Sequence, residues 1–419
     1  MKRLIQYNSV RRLSTKLHES KNTHMTHIED LVLDGGVKGA RQAILALRSL
    51  RDMLAGKSPT AVDVTVKWDG APAVFAGIDP SDGEFFVAKK GIFAKNPKVY
   101  KSHDDIDDDT SGDLSKKLKL AYDNLKDLGI QGVIQGDFMY DKADLKIEKI
   151  DGQKYLTFHP NTIAYAIPIG TPLAKKIAKA KIGIVWHTSY KGASFESMKA
   201  TFGGAITKGL KKSNTVWMQD AILPGVAGAL MDATETKEVT IQLSNAGKMF
   251  QKIRAGVLKE LESNKELNLV INVYNNTMVR KGVRITNTKT HALGLIKFVE
   301  ERYAKQSDKL KSDKGKAGVE AKKSALMSFF SKSNLKNLQN VFDLQNYIVD
   351  AKLIIINKLN SLNNVGTFVK TKSGFKVTNH EGFVAIDHME GGAVKLVDRL
   401  EFSTNNFSTD IIKGWDNPG

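Results

Sequence analysis

Residues 64–75 place one lysine between two apolar, strand-like runs. The stretch reads VTVKWDGAPAVF, with Lys67 in the polar break that separates the two runs. A lysine is an unfavourable residue at the mouth of two buried strands unless its amine has a chemical task. A lysine that is partly desolvated, or that lies beside another cation, has a depressed pKa and can act as a nucleophile. Lys67 is therefore the candidate catalytic residue, and the rest of the chain must supply its surroundings.

The segment before this stretch has a helical period. Apolar residues recur at three- and four-residue steps over residues 27–54, which predicts two helices divided at Gly35 and Gly36. Residues 1–60 are thus expected to form a basic N-terminal arm and a helical cap. The arm lacks the apolar core of a secretion signal, and no apolar run in the chain reaches the ~18 residues of a membrane span.

From residue 61 the period changes to that of strands. The acidic run 104–109 is interpreted as a solvated loop, and His187, at a strand end, as a structural residue in preference to a ligand or base. Predicted strands cover residues 61–66, 73–78, 84–88, 132–140, 145–150, 153–158, 162–167 and 182–187, with a helix at 114–128.

Helical periods replace the strand pattern after about residue 192 and give way to strands again near the end. Residues 306–316, rich in Lys, Ser, Asp and Gly, are interpreted as a flexible connection. Predicted helices cover 239–261, 290–304, 322–330 and 338–362, and predicted strands 366–370, 374–377, 382–386 and 393–397. The prediction is an α+β chain in which a helical domain (196–364) is inserted into one β-domain (61–195 and 365–419).

The net charge of +18 narrows the possible partners. Such an excess favours a polyanion, most commonly nucleic acid, and no membrane partner is expected. The absence of cysteine excludes disulfides, thiolate catalysis and cysteine metal sites, and it suits a cytoplasmic location. The oligomeric state is not fixed by the sequence. Candidate phosphate contacts are Lys208, Lys211, Lys212, Lys252, Arg254, Arg280, Lys281 and Arg284.

Several short motifs form an ordered set along the predicted strands. They are KWDG at 67–70, FVAKKG at 86–91, QGDF at 135–138, a strand around Tyr165, HEGFVA at 380–385 and VKLV at 394–397. In order and strand context this set resembles the covalent nucleotidyltransferase superfamily of ATP-dependent polynucleotide ligases. The AKKG and EGFVAI segments are closest to the phage T4 RNA ligase 1-like branch. The resemblance covers about residues 60–190 and 365–405, and it suggests a viral origin, hence the host cytoplasm.

The resemblance implies an antiparallel-sheet adenylyltransferase (ATP-grasp-like ligase) domain that uses ATP and Mg²⁺ or Mn²⁺. Lys67 would form a lysyl–AMP intermediate, and Lys395 would bind phosphate and assist as a second catalytic cation. Lys89 would be the basic group of the Lys-Lys-Gly strand. Asp137 would hold the ribose or a metal ion, and Glu381 the metal ion. Among further cofactor contacts, Asp69 and Gly70 would fix the loop that presents Lys67, and Tyr165, with Phe158 as second choice, would stack on adenine.

Four positions depart from the superfamily pattern: Thr65, Pro72, Val397 and Asp137, the last in place of the commoner glutamate. The expected activity is joining of 5′-phosphate to 3′-hydroxyl ends, with RNA or DNA ends as the partner. The alternatives are a DNA ligase that seals nicks, a non-catalytic nucleic-acid-binding or virion-associated protein with a ligase-like fold, and an adenylyltransferase that modifies a protein or a small molecule.

Overall fold

The computed structural model describes residues 25–57, 62–223, 226, 230–362, 365–387 and 392–416. The basic arm expected before residue 25 lies outside the described residues. The helices are α1 (Leu31–Asp34), α2 (Gly36–Leu54), α3 (His103–Asp109), α4 (Gly112–Leu125), α5 (Pro172–Lys179), α6 (Ala233–Lys252), α7 (Ala255–Ser263), α8 (Lys265–Arg280), α9 (Thr288–Asp308), α10 (Asp313–Met327), α11 (Lys332–Asn360) and α12 (Arg399–Phe407).

The strands form three sheets, and the α+β class is confirmed. The strands are β1 (Val62–Lys67), β2 (Ala73–Ile78), β3 (Phe85–Ala88), β4 (Val133–Asp141), β5 (Lys146–Ile150), β6 (Gln153–Phe158), β7 (Ile163–Pro168), β8 (Ile182–Lys191), β9 (Lys199–Phe202), β10 (Val216–Asp220), β11 (Gly366–Thr371), β12 (Gly374–Val377), β13 (Gly382–Asp387), β14 (Gly392–Leu396) and β15 (Ile411–Ile412).

Strands from the two ends of the chain pair with each other. The first sheet has the order β1-β13-β14, so the N-terminal strand lies beside the returning C-terminal strands. The second sheet has the order β10-β8-β4-β2-β3 with β9 on β8, and the third has the order β12-β11-β7-β6-β5 with β15 on β11. These pairs are antiparallel except β8 with β10.

One face of the second sheet packs against α4, and the opposite face carries polar groups. Along β2, Val74 and Ala76 point to the core under α4, while Phe75 points to the opposite side. Along β4, Phe138 lies in the α4 core, and Asp137 therefore points away from it, because successive strand residues alternate between faces. This alternation puts an acidic side chain on the same sheet face as Phe75.

The helical segment shares a core with the sheet that carries Lys67. Leu47 of α2, Leu243 of α6 and Leu344 of α11 belong to the same cluster of buried side chains as Val64 of β1 and Leu396 of β14. Burial of each such side chain contributes about 1.5–3 kcal/mol. The inserted helices are thus part of the support of β1 and β14.

The acidic run 104–109 is helical, so the expectation of a loop is wrong. Ser102 caps α3 by accepting a hydrogen bond from the Asp105 amide at 3.1 Å. Asp104 and Asp105 occupy the first turn, where the positive end of the helix dipole stabilises acidic side chains. The acidic run therefore forms the short helix α3, and its first two acids stabilise the start of that helix.

Two other expected boundaries differ from the structure. The strand pattern does not end near residue 192, because β9 and β10 extend the second sheet and the next helix, α6, begins at Ala233. The connection expected at 306–316 is shorter, because α9 continues to Asp308 and Ser312 caps α10 from Asp313 onward. By contrast, the predicted division at Gly35 and the return of strands after residue 365 are confirmed.

Within the described residues, every helix is too short or too polar to cross a lipid bilayer.

Candidate active site

Lys67 and Glu381 meet at one end of the first sheet. The antiparallel register of β1 and β13 puts Lys67 opposite Gly382, so Glu381 directly precedes the partner of Lys67. The Lys67 ammonium and the Glu381 carboxylate form an ion pair, although they are 314 positions apart in the chain. Gly382 is required there, because a Cβ at this position would lie 2.5 Å from the Leu396 carbonyl oxygen.

Lys395 lies on the next strand of the same sheet. The register of β14 with β13 puts Lys395 opposite Val384. Residues 26–28 form hydrogen bonds with the edge of β14 that faces away from β13. The Lys395 amide donates to the Thr26 carbonyl at 3.3 Å, and the Ile28 amide donates to the Lys395 carbonyl at 3.2 Å. The strand with this second lysine is therefore bonded on both sides.

The loop after Lys67 is fixed by the Asp69 carboxylate. Asn161 Nδ2 donates to Oδ1 at 2.7 Å, and the amides of Thr162 and Ile163 donate to Oδ2 at 2.7 and 2.8 Å. Gly70 lies so close to β4 that a Cβ would be 2.6 Å from the Cβ of Asp137. Both residues therefore position the loop that presents Lys67, and the Asp69 carboxylate is fully bonded inside the protein.

Tyr165 is a structural residue, which corrects the prediction that its ring stacks on adenine. The side chain is fully buried, and its hydroxyl accepts a hydrogen bond from the Asp69 amide at 2.8 Å. Its ring packs between Trp68, at a centroid distance of 4.9 Å, and Phe158, at 5.4 Å. Phe158, the second choice, is also buried, so neither ring presents a free face.

Asp137 and His187 face the Lys67 end of the first sheet from the second sheet. The register of β4 with β8 shifts between Gln135 and Gly136, which leaves His187 as the extra residue of a β-bulge. Bulges re-aim side chains and are frequent beside active sites. His187 Nε2 lies 4.0 Å from an Asp137 carboxylate oxygen, and its Nδ1 lies 2.7 Å from the Thr188 hydroxyl.

Lys89 is directed away from the site, and its neighbour Lys90 is the residue that faces it. The Lys89 ammonium pairs with Asp109 at 2.8 Å, on the α3 side of the sheet. Lys90 is exposed and lies within electrostatic reach of Asp137 and Lys395: it slightly opposes the rise that burial causes in the pKa of Asp137, and it adds to the fall that burial causes in the pKa of Lys395. The prediction for Lys89 is therefore shifted by one position.

The electrostatic state of Lys67 also differs from the expectation. Burial by itself lowers the pKa of Lys67, but the Glu381 carboxylate, with smaller contributions from Asp137 and Asp69, raises that pKa above its ordinary value. Lys395 shows the opposite result, because burial and then the Lys67 charge lower its pKa. Of the two lysines, only Lys395 has the depressed pKa that a neighbouring cation produces.

The carboxylates of Asp137 and Glu381 are the groups suited to a divalent cation. Burial raises the pKa of Asp137 to about 7 and also raises the pKa of Glu381; the Glu381 charge adds to the rise at Asp137, and the Asp69 charge adds to the rise at Glu381. Two partly desolvated carboxylates whose charged forms are destabilised by burial and by acidic neighbours fit the oxygen ligands that Mg²⁺ prefers. No cluster of three or more His, Cys, Asp and Glu side chains suited to a metal ion occurs in the described part of the chain. A bound ion would thus complete its coordination with water or substrate oxygens.

The sequence predictions omit Lys90 and treat His187 as a structural residue. Of the two, only Lys90 has a sequence pattern that identifies it as part of the site. Lys90 continues the alternation of Phe86 and Ala88, which both lie on the site face of β3. That period of two favours Lys90 over Lys89. His187 had no such signal, because a bulge depends on the pairing of β4 with β8 and not on local composition.

Comparison with known proteins gives a family without an activity. The chain matches, over residues 22–411, the family described as "Family of unknown function (DUF6267)". No curated protein and no solved structure matches the chain. The matched range includes Lys67, Asp137, Glu381 and Lys395. This protein is therefore a member of the DUF6267 family.

Proposed function

We propose that the protein is an ATP-dependent polynucleotide ligase of the RNA ligase type, acting through a lysyl–AMP intermediate on Lys67. One observation carries the proposal: Lys67 is paired with Glu381 while Asp137, His187 and Lys395 surround the pair. The residues come from five separate strands or strand ends. An amine nucleophile, a second cation and two carboxylates are the groups that nucleotidyl transfer to a lysine requires.

In the first step, the Lys67 amine attacks the α-phosphorus of ATP. The Lys67 ammonium first gives a proton to water, a phosphorus–nitrogen bond forms as the bond to the leaving pyrophosphate breaks, and the nitrogen then gives a second proton to water. Lys395 would stabilise negative charge on the phosphate oxygens, and Lys90 would add further positive charge near the site. A divalent cation bound to Asp137 and Glu381 would supply positive charge that opposes their hold on the Lys67 proton.

In the second and third steps, the AMP group passes from Lys67 to a 5′-phosphate, and a 3′-hydroxyl then attacks that phosphate. The first transfer breaks the phosphorus–nitrogen bond and forms a phosphoanhydride. The second forms the phosphodiester and releases AMP. The partly open arrangement suits this sequence, since the Lys67 and His187 side chains are 31% and 27% exposed.

The test is incubation of the protein with ATP labelled at the α-phosphate and with Mg²⁺, followed by acid precipitation. We expect acid-stable label on the wild type and none on Lys67→Ala. The matched control is Lys149→Ala, an exposed lysine on β5, which should label like the wild type. Absence of label on the wild type, or equal label on Lys67→Ala, would show that Lys67 is not the nucleophile.

Labelled protein should then be offered 5′-phosphorylated single-stranded RNA, nicked RNA and nicked DNA. Transfer of the label and joining of RNA ends supports an RNA ligase. Preferential sealing of nicked DNA supports a DNA ligase, and label that never leaves the protein for any strand argues for a different adenylyl acceptor.

A further inference from the structure

One end of the inserted helices carries a cluster of positive charges. Residues 302–316, which contain the end of α9, its connection to α10 and the first turn of α10, are called the α9–α10 arm here. The arm contains six cations and two acids, Asp308 and Asp313, and so has a net charge of +4. The cations are Arg302, Lys305, Lys309, Lys311, Lys314 and Lys316.

Three of these cations form a stripe along the last two turns of α9 and the residue that follows it. Arg302, Lys305 and Lys309 are three and four residues apart, which puts them on one side of a helix. Together with Phe298 they line one shallow cleft. At 1.5 Å rise per residue, the stripe spans about 10 Å along the helix axis. Side chains at such steps have Cβ atoms about 5–6 Å apart, so the three cations form one short, continuous row.

The arm's charge is not neutralised by acidic side chains. Across the described residues, none of the six cations takes part in an ion pair, whereas Lys297 and Lys323 on the same helices pair with Glu301 and Glu320. Glu301 lines the cleft, but its carboxylate is 3.8 Å from the Lys297 ammonium. An uncompensated row of like charges destabilises the free protein slightly and is relieved by a polyanion.

We propose that the α9–α10 arm binds the sugar–phosphate backbone of the polynucleotide substrate. The inference rests on the proposed ligase function for the identity of that polyanion, and it assigns the contact to a surface distinct from the Lys67 site. Regularly spaced cations without base-reading geometry bind nucleic acid through phosphates, independently of sequence.

A lipid surface is a less suitable partner for this arm. An interfacial helix needs an apolar face beside its cations. Within residues 302–316, all of which are described, Leu310 is the one large apolar side chain that is exposed, at 36%. A single exposed leucine does not provide such a face.

The experiment compares two triple variants with the same change in charge. The arm variant is Arg302→Gln, Lys305→Gln, Lys309→Gln. The control is Lys146→Gln, Lys149→Gln, Lys154→Gln, three exposed lysines of the β5–β6 hairpin on another surface. Binding to a fluorescent, 5′-phosphorylated single-stranded RNA is measured by anisotropy between about 50 and 200 mM salt. Circular dichroism checks that both variants are folded.

We expect the arm variant to bind about tenfold more weakly or worse. Its plot of log affinity against log salt should become shallower by about two, since each lost single-strand phosphate contact removes about 0.7 from the slope. The control should remain close to the wild type. Equal losses in both variants, or an unchanged slope in the arm variant, would overturn the proposal, as would wild-type binding to anionic vesicles in place of RNA.

Failure of this proposal and failure of the ligase function give different results. The arm variant should label with α-labelled ATP as the wild type does, because the arm does not touch the Lys67 site. If the wild type takes no label but the arm variant still loses RNA binding, the arm is an RNA-binding surface and the ligase assignment is wrong.

Discussion

The Lys67 ammonium is held by the Glu381 carboxylate, and this pair joins the end of β1 to the residue that precedes β13. The contact keeps the candidate nucleophile protonated, since Glu381 raises the pKa of Lys67 against the effect of burial. The proposed attack by the Lys67 amine therefore requires that the Glu381 charge first be removed or neutralised. Three of the groups around the pair, Asp137, Lys395 and His187, lie within electrostatic reach of Lys67.

Replacement of Glu381 by Gln should lower the pKa of Lys67. The amide removes the largest influence that raises this pKa, and it leaves burial and the Lys395 charge, which act in the opposite direction. The measurement is competitive acylation of lysines as a function of pH, with the Lys67 peptide quantified by mass spectrometry. An unchanged titration of Lys67 in the variant would show that the ion pair does not control its proton.

Replacement of Asp69 by Ala should destabilise the protein by about 3 kcal/mol. The change leaves the buried amides of Thr162 and Ile163 without their acceptor, and hydrogen bonds to a charged group contribute about 1.5–3 kcal/mol each. Urea unfolding monitored by tryptophan fluorescence measures the loss. Asp127→Ala, at an exposed position, is the control and should change stability by less than about 0.5 kcal/mol.

Replacement of Lys352 by Met should destabilise the protein by about 3 kcal/mol or more. The Lys352 ammonium is 1% exposed and lies 2.8 Å from the Glu29 carboxylate, so its loss leaves a buried charge that Arg399, at 3.8 Å, compensates only in part. The double variant Glu29→Gln, Lys352→Met should recover part of the loss, because the unpaired charge is gone. Chemical denaturation of all three proteins tests this, and equal stability of the single and double variants would contradict it.

The stability of the helical segment should fall in mild acid because of His291. Burial lowers the pKa of His291 to about 4, and its Nε2 lies 2.8 Å from Asn275 Oδ1. The unfolded chain has the ordinary value near 6.5, so it binds the proton first. The stability that neutral His291 contributes is fully present above pH 6.5 and is lost as the pH falls from 6.5 towards 4, to a total of about 3 kcal/mol.

A His291→Gln variant tests this pH dependence without removing the polar partner of Asn275. Its free energy of unfolding should be lower than that of the wild type at pH 7.5 and should change less between pH 6.5 and 4.5. A pH dependence that is identical in the two proteins would show that His291 does not contribute to acid sensitivity.

The residues that could be predicted from the sequence are those whose role depends on local pattern. The strands around Lys67 and Asp137, the division at Gly35 and the late strand that carries Lys395 all follow from periods of two or of three to four residues. The motif order also led to Glu381, although its contact with Lys67 spans 314 positions.

The errors concern properties that depend on pairing partners. The predicted stacking of Tyr165 on adenine requires an accessible ring. The ring is buried because Trp68 and Phe158 pack against it, and the local sequence pattern does not show this packing. The predicted start of the helical segment is too early, because β10 is short, follows a polar stretch and is stabilised by its parallel pairing with β8. The position of His187 depends on a bulge in the same way.

The partners of the two edges of β1 are synthesised at very different times. Val66 and Leu223 form backbone hydrogen bonds that join β1 to residues 221–223 on one side, and β13 pairs on the other side. About 160 residues separate Leu223 from Gly382, which corresponds to roughly 10–30 s of translation at 5–20 residues per second. For that interval the second edge of the lysine-bearing strand has no native partner. A ribosome-bound chain that ends before β13 is thus expected to keep this edge unpaired, and the Lys67 site cannot form until Glu381 has been synthesised.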